Sequence, residues 1–347
     1  MDGQSKSLVE KLYSITPKCM KTNPSRRNFL KKSMVATLAA PLIASLEEYA
    51  LAAQQSGESA AQATSTAKVT IATGAIGNVK ISRLICGGNL ISGYAHSRDL
   101  IYSSTLLRHY FTDEKIMETW SLSEQHGINT MILNPSDTRA MAIYEKYRER
   151  GGRIQYLAQI GPDDGDLKTP VQQAQKAGAV GIFLLGNMGD DWVRNGHVKR
   201  VGELIAIIKD TGLISGVAGH ELRTVRTVEE AGIAPDFYMK TLHSDNYWSK
   251  RRPDQMKEVI DNYAADNYWC LDPEETIRYM ATIKRPWIAY KVLAAGAIHP
   301  RAGFRHAFEN GADFAAVGVF DFQIAQDAAI INEVLQNTEK RKRAWLA

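Results

Sequence analysis

The sequence at residues 180–185 is Val-Gly-Ile-Phe-Leu-Leu, and at residues 214–218 it is Ile-Ser-Gly-Val-Ala. These two apolar runs have the length of buried strands, and the segment at 201–210 between them has the spacing of an amphipathic helix. Gly212 stands just past that helix, where glycine commonly ends one. The stretch therefore predicts two parallel strands joined by a crossover helix.

The same alternation repeats along the chain. Strands are predicted at 84–87, 130–134, 154–159, 180–185, 214–218, 237–242, 287–292 and 314–318. Helices are predicted near 113–126, 138–150, 169–177, 201–210, 222–231, 273–283, 300–310 and 323–336. Eight such units in about 250 residues predict an α/β fold of the (β/α)8 TIM-barrel type, with a doubly wound sheet as the alternative. The alternation at 69–81 around Gly77-Asn78 predicts an N-terminal β-hairpin.

Two predicted connections, at residues 88–111 and 243–271, are too long to be simple turns. Both follow strands at their carboxyl ends, where barrel enzymes build their sites. The second connection, after the sixth strand, is predicted to form a lid. It contains the aromatic residues Tyr247, Trp248, Tyr263, Tyr268 and Trp269. These aromatic rings could stack against a sugar ring, or they could form the hydrophobic core of the lid itself.

The first 67 residues are predicted to be an export signal and linker, and residues 68–347 a single barrel domain. Ser-Arg-Arg-Asn-Phe-Leu-Lys at 25–31 matches the twin-arginine pattern. The apolar stretch that follows, at 34–46, is too short to anchor the protein in a bilayer. These features predict a periplasmic protein that interacts with the twin-arginine export machinery and has no stable membrane anchor.

Composition narrows the class of protein. Hydrophobic residues make up 44% of the 347 residues and charged residues 23%, which is typical of a soluble globular enzyme. Beyond residue 67 basic and acidic residues are nearly equal in number, so the net charge of +4 does not indicate a nucleic-acid partner. Three cysteines are too few for a disulfide scaffold.

The start of the barrel resembles the aldo/keto reductases. The resemblance is carried by the stretch at 79–89, Val-Lys-Ile-Ser-Arg-Leu-Ile-Cys-Gly-Gly-Asn, by Gly-Ile-Asn-Thr at 127–130 and by Gly-Val-Ala at 216–218. It implies a barrel and an NAD(P)-dependent reduction. The positions of the family's Asp, Tyr, Lys and His tetrad hold Ile132, Asp137, Gln159 and Gly186. Because an apolar side chain and a neutral amide cannot transfer a proton or lower a tyrosine pKa, the usual reductase mechanism is not expected.

Polar residues follow the fifth and sixth predicted strands. His220 and Glu221 end one strand, and His243 and Asp245 end the next. Because adjacent strands lie about 4.8 Å apart, these four residues are predicted to form a divalent-metal site, with His243 and Glu221 also as candidate catalytic residues. The alternative is that His220 caps a helix and His243 forms hydrogen bonds within the lid.

Two lysines lie in otherwise apolar strands. Lys291 is predicted to point into the barrel mouth, where it would stabilise an enolate, take a proton or form a Schiff base with a keto-sugar. Lys240, on the sixth strand, is likewise a candidate catalytic residue. Strand alternation allows only one of Lys240 and His243 to point into the barrel. For either lysine the alternative is a structural ion pair.

Glycines after the last two strands indicate a candidate anion or cofactor site. Gly296, Ala297 and Gly318 occupy positions at which many barrels hold a phosphate group, and Arg301 on the following helix would add positive charge. Close packing of helix against strand explains glycine at these positions equally well.

The function predicted from the sequence is that of an exported barrel enzyme acting on a small, sugar-derived substrate. Its reaction would be a metal- or lysine-assisted proton transfer, as in an isomerase, epimerase or lyase. The alternatives are an NAD(P)-dependent oxidoreductase related to aldo/keto reductases and a non-catalytic sugar-binding barrel.

Overall fold

The computed structural model describes residues 70–94, 102–163, 165–250, 270–338 and 341–347, all of which belong to one compact unit, Ser65–Ala347. The predicted domain boundary at residue 67, the twin-arginine motif and most of the predicted lid lie outside these residues. No helix within the described ranges has both the length and the apolar character needed to cross a membrane.

The N-terminal hairpin is confirmed. Strands β1 (Thr73–Ile76) and β2 (Val79–Ser82) pair in antiparallel register, from Thr73 opposite Ser82 to Ile76 opposite Val79. The two-residue turn between them begins at Gly77, which has a φ of 57°. Glycine adopts such a left-handed conformation without strain, so the Gly-Asn pair allows a tight turn here.

Eight parallel strands close into a barrel, as predicted. They are β3 (Leu84–Cys86), β4 (Thr130–Leu133), β5 (Gln155–Ile160), β6 (Gly181–Leu184), β7 (Ile214–Gly219), β8 (Phe237–Thr241), β9 (Trp287–Tyr290) and β10 (Phe314–Val317). Neighbours along the chain pair with each other, and β10 pairs with β3 to complete the ring. A doubly wound sheet would stay open at its edges, so closure rules out that alternative.

Helices cover the outside of the barrel. The α-helices in the described ranges are α1 (Ser103–Tyr110), α2 (Asp113–Gln125), α3 (Thr138–Glu149), α4 (Lys168–Lys176), α5 (Gly186–Arg194), α6 (Val198–Asp210), α7 (Leu222–Glu230), α8 (Pro273–Met280), α9 (Pro300–Glu309) and α10 (Ile324–Gln336). Two of these, α1 and α5, were not predicted. The strand predicted to run to residue 292 ends at Tyr290, because Lys291 adopts a φ of 57° that breaks the extended conformation.

The barrel has two cores, and strand alternation separates them. Ile132, Leu157 and Phe183 belong to the core that fills the lumen, whereas their neighbours Met131, Tyr156 and Ile182 pack in the layer beneath the helices. Ile76 and Ile81 of the hairpin join the lumen core. Because the hairpin precedes β3, it closes the amino-terminal end of the barrel, and the carboxyl ends of the strands form the mouth.

Candidate active site

Four residues that end or follow the strands β6, β7 and β9 come together in the mouth of the barrel. Asp190 lies on α5 after β6, His220 follows β7, Tyr290 ends β9, and Lys291 comes directly after it. Ala218 and Ile288, two residues before His220 and Tyr290, belong to the lumen core. Alternation therefore places His220 and Tyr290 on the lumen side. We call Asp190, His220, Tyr290 and Lys291 the mouth cluster.

Asp190 and His220 form a buried hydrogen-bonded pair. Nδ1 of His220 lies 2.8 Å from Oδ2 of Asp190, and only 6% of His220 and 1% of Asp190 is exposed. The same carboxylate accepts hydrogen bonds from the backbone N–H groups of His220 and Glu221 and from the Thr224 hydroxyl. An ionised carboxylate only accepts hydrogen bonds, so it fixes the imidazole with its proton on Nδ1 and leaves the lone pair on Nε2.

The environment of His220 keeps the imidazole neutral. Burial is the largest effect and lowers the pKa of His220, and the positive charge of Lys291 lowers it further. The hydrogen bond to Asp190 acts in the opposite direction. Nε2 of His220 has no hydrogen-bond partner among the described residues. A neutral imidazole with an available Nε2 is the form that accepts a proton.

Tyr290 supplies a hydroxyl group beside this imidazole. Its ring centroid lies 5.4 Å from that of His220, and its hydroxyl is buried without a hydrogen-bond partner in the described part of the chain. Burial raises the pKa of Tyr290 well above its usual value, and the charge of Asp190 adds to this effect. The hydroxyl therefore remains protonated and can donate a hydrogen bond.

Lys291 brings a positive charge to the same place, and the backbone that carries it is strained. Its Nζ lies 5.8 Å from the Tyr290 ring centroid, and its charge affects the pKa of His220. Lys291, Ala294 and Ala295 have φ values of 57°, 46° and 55°. Left-handed conformations are costly for residues other than glycine, and such strain concentrates at functional sites.

The first residue of α5 contacts the mouth cluster directly. A Cβ atom added to Gly186 would lie 2.7 Å from the Tyr290 hydroxyl oxygen and 3.1 Å from Cε1 of His220. No side chain larger than hydrogen fits here without displacing them. Gly186, which occupies the histidine position of the aldo/keto reductases, thus lets the amino-terminal end of α5 reach the cluster.

The structure does not gather the predicted metal ligands. Glu221 pairs with Arg194 at 3.2 Å. His243 uses both ring nitrogens, because Nδ1 lies 2.9 Å from the Ser244 carbonyl oxygen and Nε2 accepts the Cys270 N–H. Asp245 is exposed to solvent. Over the described ranges no three His, Cys, Asp or Glu residues are arranged to hold a metal ion, so these residues do not fit the predicted centre.

Lys240 is buried away from the lumen. It shares the helix-facing side of β8 with Tyr238, and its Nζ donates to the carbonyl oxygen and the hydroxyl of Thr241 at 3.0 and 2.8 Å. Burial lowers the pKa of Lys240. Thr241 in turn donates to the backbone carbonyl of His220 at 2.9 Å. Lys240 therefore supports the strand end that carries His220, and this position does not favour the predicted catalytic role.

The predicted anion site after the last two strands is incomplete. Arg301 pairs with Glu333 on α10. A Cβ atom on Gly318 would lie 2.8 Å from the Leu90 side chain, so close packing accounts for this glycine. Gly296 has a φ of 88° and open space around its α-carbon, and Ala297 follows it at the end of a short 3-10 turn. The binding roles of Gly296 and Ala297 stay predictions.

Of the mouth cluster, the sequence interpretation named Lys291 as a catalytic candidate and His220 as a metal ligand, and it named neither Asp190 nor Tyr290. Tyr290 could have been found from the alternation of β9, since Ile288 is a lumen residue. Asp190 lies in the connection at 186–200, which is also too long for a simple turn. Of the three tetrad positions other than Gly186, Ile132 and Asp137 lie outside the mouth cluster. Ile132 packs in the lumen, and Asp137 caps α3 by accepting the Ala140 N–H at 3.0 Å.

No protein-family model matches this chain, and the comparison with curated protein sequences finds no match. Among solved structures, a truncated 3-deoxy-D-arabino-heptulosonate 7-phosphate synthase from Thermotoga maritima is 12% identical, with a TM-score of 0.41 over 78% of this chain and 92% of that one. A 3-hexulose-6-phosphate synthase from Salmonella typhimurium is 18% identical, with a TM-score of 0.43 over 65% and 95%. A 3-keto-L-gulonate-6-phosphate decarboxylase from Vibrio cholerae is 13% identical, with a TM-score of 0.41 over 63% and 89%. At these values the likenesses do not bear on substrate or mechanism.

Proposed function

We propose that the mouth cluster is the active site of an enzyme that transfers a proton on a small, sugar-derived substrate, as isomerases, epimerases and lyases do. One observation carries the proposal. The Tyr290 hydroxyl is buried without a hydrogen-bond partner among the described residues, and its ring lies 5.4 Å from the imidazole of the buried Asp190–His220 pair. Orphaned buried polar groups are rare in proteins and suggest a ligand that completes their hydrogen bonds.

The proposed step removes a proton from the carbon next to a carbonyl group. Nε2 of His220 takes the proton, the C–H electron pair forms a carbon–carbon double bond, and the carbonyl oxygen becomes negatively charged. Asp190 stabilises the resulting imidazolium. The Tyr290 hydroxyl and the Lys291 ammonium stabilise the negatively charged oxygen. Electrostatic stabilisation of this kind is strongest in sites that exclude water. The same imidazolium then returns the proton, to the same carbon or to its neighbour.

Deuterium exchange tests this proposal without knowledge of the natural substrate. The protein is incubated in D2O with small ketoses, aldoses and their acids, and loss of the C–H signal is followed by proton NMR. We expect exchange with at least one compound for the wild-type protein and none for His220→Gln. Exchange that continues unchanged in His220→Gln would contradict the proposal. A compound that binds without exchange would favour the non-catalytic sugar-binding alternative.

One observation favours the oxidoreductase alternative. The mouth cluster contains Asp, His, Tyr and Lys, the same four side-chain types as the aldo/keto reductase tetrad, although on other strands. A nicotinamide cofactor would supply the hydride for such a reaction. The predicted cofactor residues do not fit it, because Arg301 is paired with Glu333 and Gly318 is packed against Leu90. Titration with NADPH, followed by its fluorescence, separates the two functions, since the proton-transfer proposal expects no binding.

Export by the twin-arginine route is part of the proposal and rests on residues 25–31 alone. Residues 1–67 fused to a reporter protein should bring it to the periplasm of cells that have twin-arginine machinery. Replacing Arg26 and Arg27 together by lysine should keep the reporter in the cytoplasm. Export that survives this double substitution would contradict the assignment.

A further inference from the structure

We propose that the exposed ring face of Phe322, at the rim of the barrel mouth, is a stacking platform for a pyranose ring of the substrate. The substrate of the mouth cluster then carries a glycosyl unit beyond the carbon at which it reacts. This inference rests on the proposed function, because it concerns the substrate of the same mouth. It differs from the sequence-based expectation, which placed sugar-stacking aromatic residues in the connection after the sixth strand.

Phe322 is the outermost of three nearly parallel aromatic rings. Phe320 stacks with Phe111 at a centroid distance of 5.4 Å and an interplanar angle of 18°, and with Phe322 at 5.2 Å and 13°. Phe111 is completely buried in the helix layer, whereas Phe322 is 68% exposed. A ring that is covered on one face and still exposed to this extent presents its other face to solvent. The three rings therefore lead from the interior to an exposed aromatic face.

The rings beneath the platform are held in place by their own contacts. The Tyr110 ring packs edge-on against Phe111 and Phe320, at centroid distances of 5.1 and 5.5 Å. Its hydroxyl donates to the Asp321 carboxylate, which also accepts a hydrogen bond from Lys115 at 3.0 Å. A ligand that stacks on rings already fixed in this way orders little of the protein when it binds, and such preorganisation favours affinity.

The polar groups beside Phe322 favour an uncharged ligand that carries hydroxyl groups. Asp321 precedes Phe322 in the chain, Lys115 contacts Asp321, and Glu118 pairs with Lys115 at 2.8 Å. One ammonium group and two carboxylates give these three side chains a net charge of −1, which disfavours a nucleotide or another anionic planar ligand. The same groups can donate hydrogen bonds to hydroxyls and accept them. A pyranose fits both conditions, because it has an apolar ring face, hydroxyls at its edge and no charge.

The platform lies at the same edge of the barrel as the mouth cluster. Phe322 follows β10, and Ala316 of that strand lies opposite Tyr290 at the end of β9. Phe322 comes six residues after Ala316, and six residues span at most about 20 Å. The 3-10 turn at Asp321–Gln323 shortens this distance. A disaccharide or a longer glycoside would therefore reach from the mouth cluster to the platform.

Two substitutions at one position test the platform. Phe322→Leu keeps an apolar side chain but removes the aromatic face, whereas Phe322→Trp keeps an aromatic face. Leu106→Ala is the matched control, because Leu106 is a 60% exposed apolar residue on α1 that takes no part in the ring stack. Substitutions at exposed positions change stability little, so all three variants should fold.

The probes are the methyl pyranosides of glucose, galactose and mannose, the disaccharides cellobiose, maltose and lactose, and the acyclic polyol sorbitol. Each is titrated into protein that carries fluorinated phenylalanine and isotope-labelled histidine. The Phe322 and His220 signals are identified by their absence from Phe322→Leu and His220→Gln. We expect at least one pyranoside to shift the Phe322 signal saturably, but not sorbitol, which has the hydroxyls without the rigid ring face. At least one disaccharide should shift both signals with a single Kd.

Binding, measured by calorimetry, should weaken about fivefold or more in Phe322→Leu, as expected for the loss of one aromatic stacking contact, and should be retained in Phe322→Trp and Leu106→Ala. Equal binding by the wild-type protein and Phe322→Leu would overturn the inference, and so would the absence of any pyranoside-dependent shift. Saccharides that shift the Phe322 signal alone would overturn the assignment of the platform to the substrate of the mouth cluster. The proposed function fails by a different result, exchange that persists in His220→Gln. Pyranoside binding by that variant should persist, because the platform does not use the imidazole.

Discussion

At the scale of single residues, the Asp190–His220 pair sets the pH range in which the base can work. The imidazole must be neutral to accept a proton, so activity should rise with pH through the pKa of His220 and then level off. Burial and Lys291 lower that pKa, whereas Asp190 raises it. The charge of Asp190 therefore moves the rise in activity to higher pH. The hydrogen bond to Asp190 also holds the imidazole in the tautomer that can accept a proton on Nε2.

Asp190→Asn separates these two effects. Loss of the negative charge should lower the pKa of His220 further, so the acid limb of the exchange rate should move to lower pH. The plateau should fall by about 100-fold or more because the tautomer is no longer fixed. The measurement is the rate of deuterium exchange as a function of pH. Asp191→Asn, at an exposed neighbouring position on α5, should match the wild-type profile. An acid limb that stays in place in Asp190→Asn would contradict this account.

Removing the Tyr290 hydroxyl should not destabilise the protein, although the hydroxyl is proposed to serve the reaction. Its hydroxyl is buried and makes no hydrogen bond with the described residues, so Tyr290→Phe should leave the free energy of unfolding unchanged or raise it by about 1 kcal/mol. The hydroxyl of Tyr156, by contrast, donates to the Ala174 carbonyl at 3.2 Å, and Tyr156→Phe should lower stability by about 1 kcal/mol. Urea unfolding of the two variants checks both values. Equal losses would mean that Tyr290 has a structural partner.

At the scale of elements, the segment after β9 holds Lys291 in place at a cost in backbone strain. Lys291→Gly and Lys291→Ala both remove the charged side chain, but only glycine adopts a φ near 57° freely. Lys291→Gly should therefore be more stable than Lys291→Ala by about 1 kcal/mol, as measured by urea unfolding. Both variants should lose activity if the ammonium stabilises the reacting oxygen. Equal stability would show that the segment is not strained.

The barrel elements could be predicted because their pattern and their packing agree. Each strand alternates between the lumen and the helix layer, and each long helix buries one apolar face, so periodicity and helix-ending glycines located them. Helix α5 was missed because Gly186 and Gly189 lower helix propensity. Gly189 is required by packing, since a Cβ there would lie 2.4 Å from the Ala218 carbonyl oxygen. Such a tertiary contact leaves no periodic signal in the sequence.

Only two members of the mouth cluster could be named from the sequence, again because tertiary contacts leave no signal in it. His220 and Lys291 follow strands and were named for that position, His220 as a metal ligand and Lys291 as a catalytic candidate. The hydrogen bonds of His243 to Ser244 and Cys270, which remove it from the metal site, depend on the fold of the long connection. The partner that orients His220 lies 30 residues earlier in the chain, at Asp190. Spacing in a sequence identifies which strand ends meet, but not which side chains are already occupied by one another.

At the scale of the whole molecule, the two ends of the barrel differ in what they do. The mouth carries orphaned polar groups and strained backbone. The amino-terminal end carries a charge cluster around Asp313, which precedes β10 and is completely buried. Asp313 pairs with Arg343, accepts the Trp287 N–H at 2.9 Å and lies 3.9 Å from Arg341. Stability in barrel enzymes resides at this end and chemistry at the mouth.

Asp313→Asn should therefore weaken the fold without changing the chemistry. Removing this charge leaves the buried Arg341 and Arg343 without a carboxylate partner in the described part of the chain, and the loss should be about 3–5 kcal/mol in the free energy of unfolding. The exposed pair of Asp113 with Arg139 is the control, since Asp113→Asn should cost less than about 1 kcal/mol. Urea unfolding measures both losses. The exchange rate per folded molecule should equal that of the wild type in both variants, because the cluster lies at the opposite end of the strands from His220. A slower rate in fully folded Asp313→Asn would show that the two ends of the barrel are coupled.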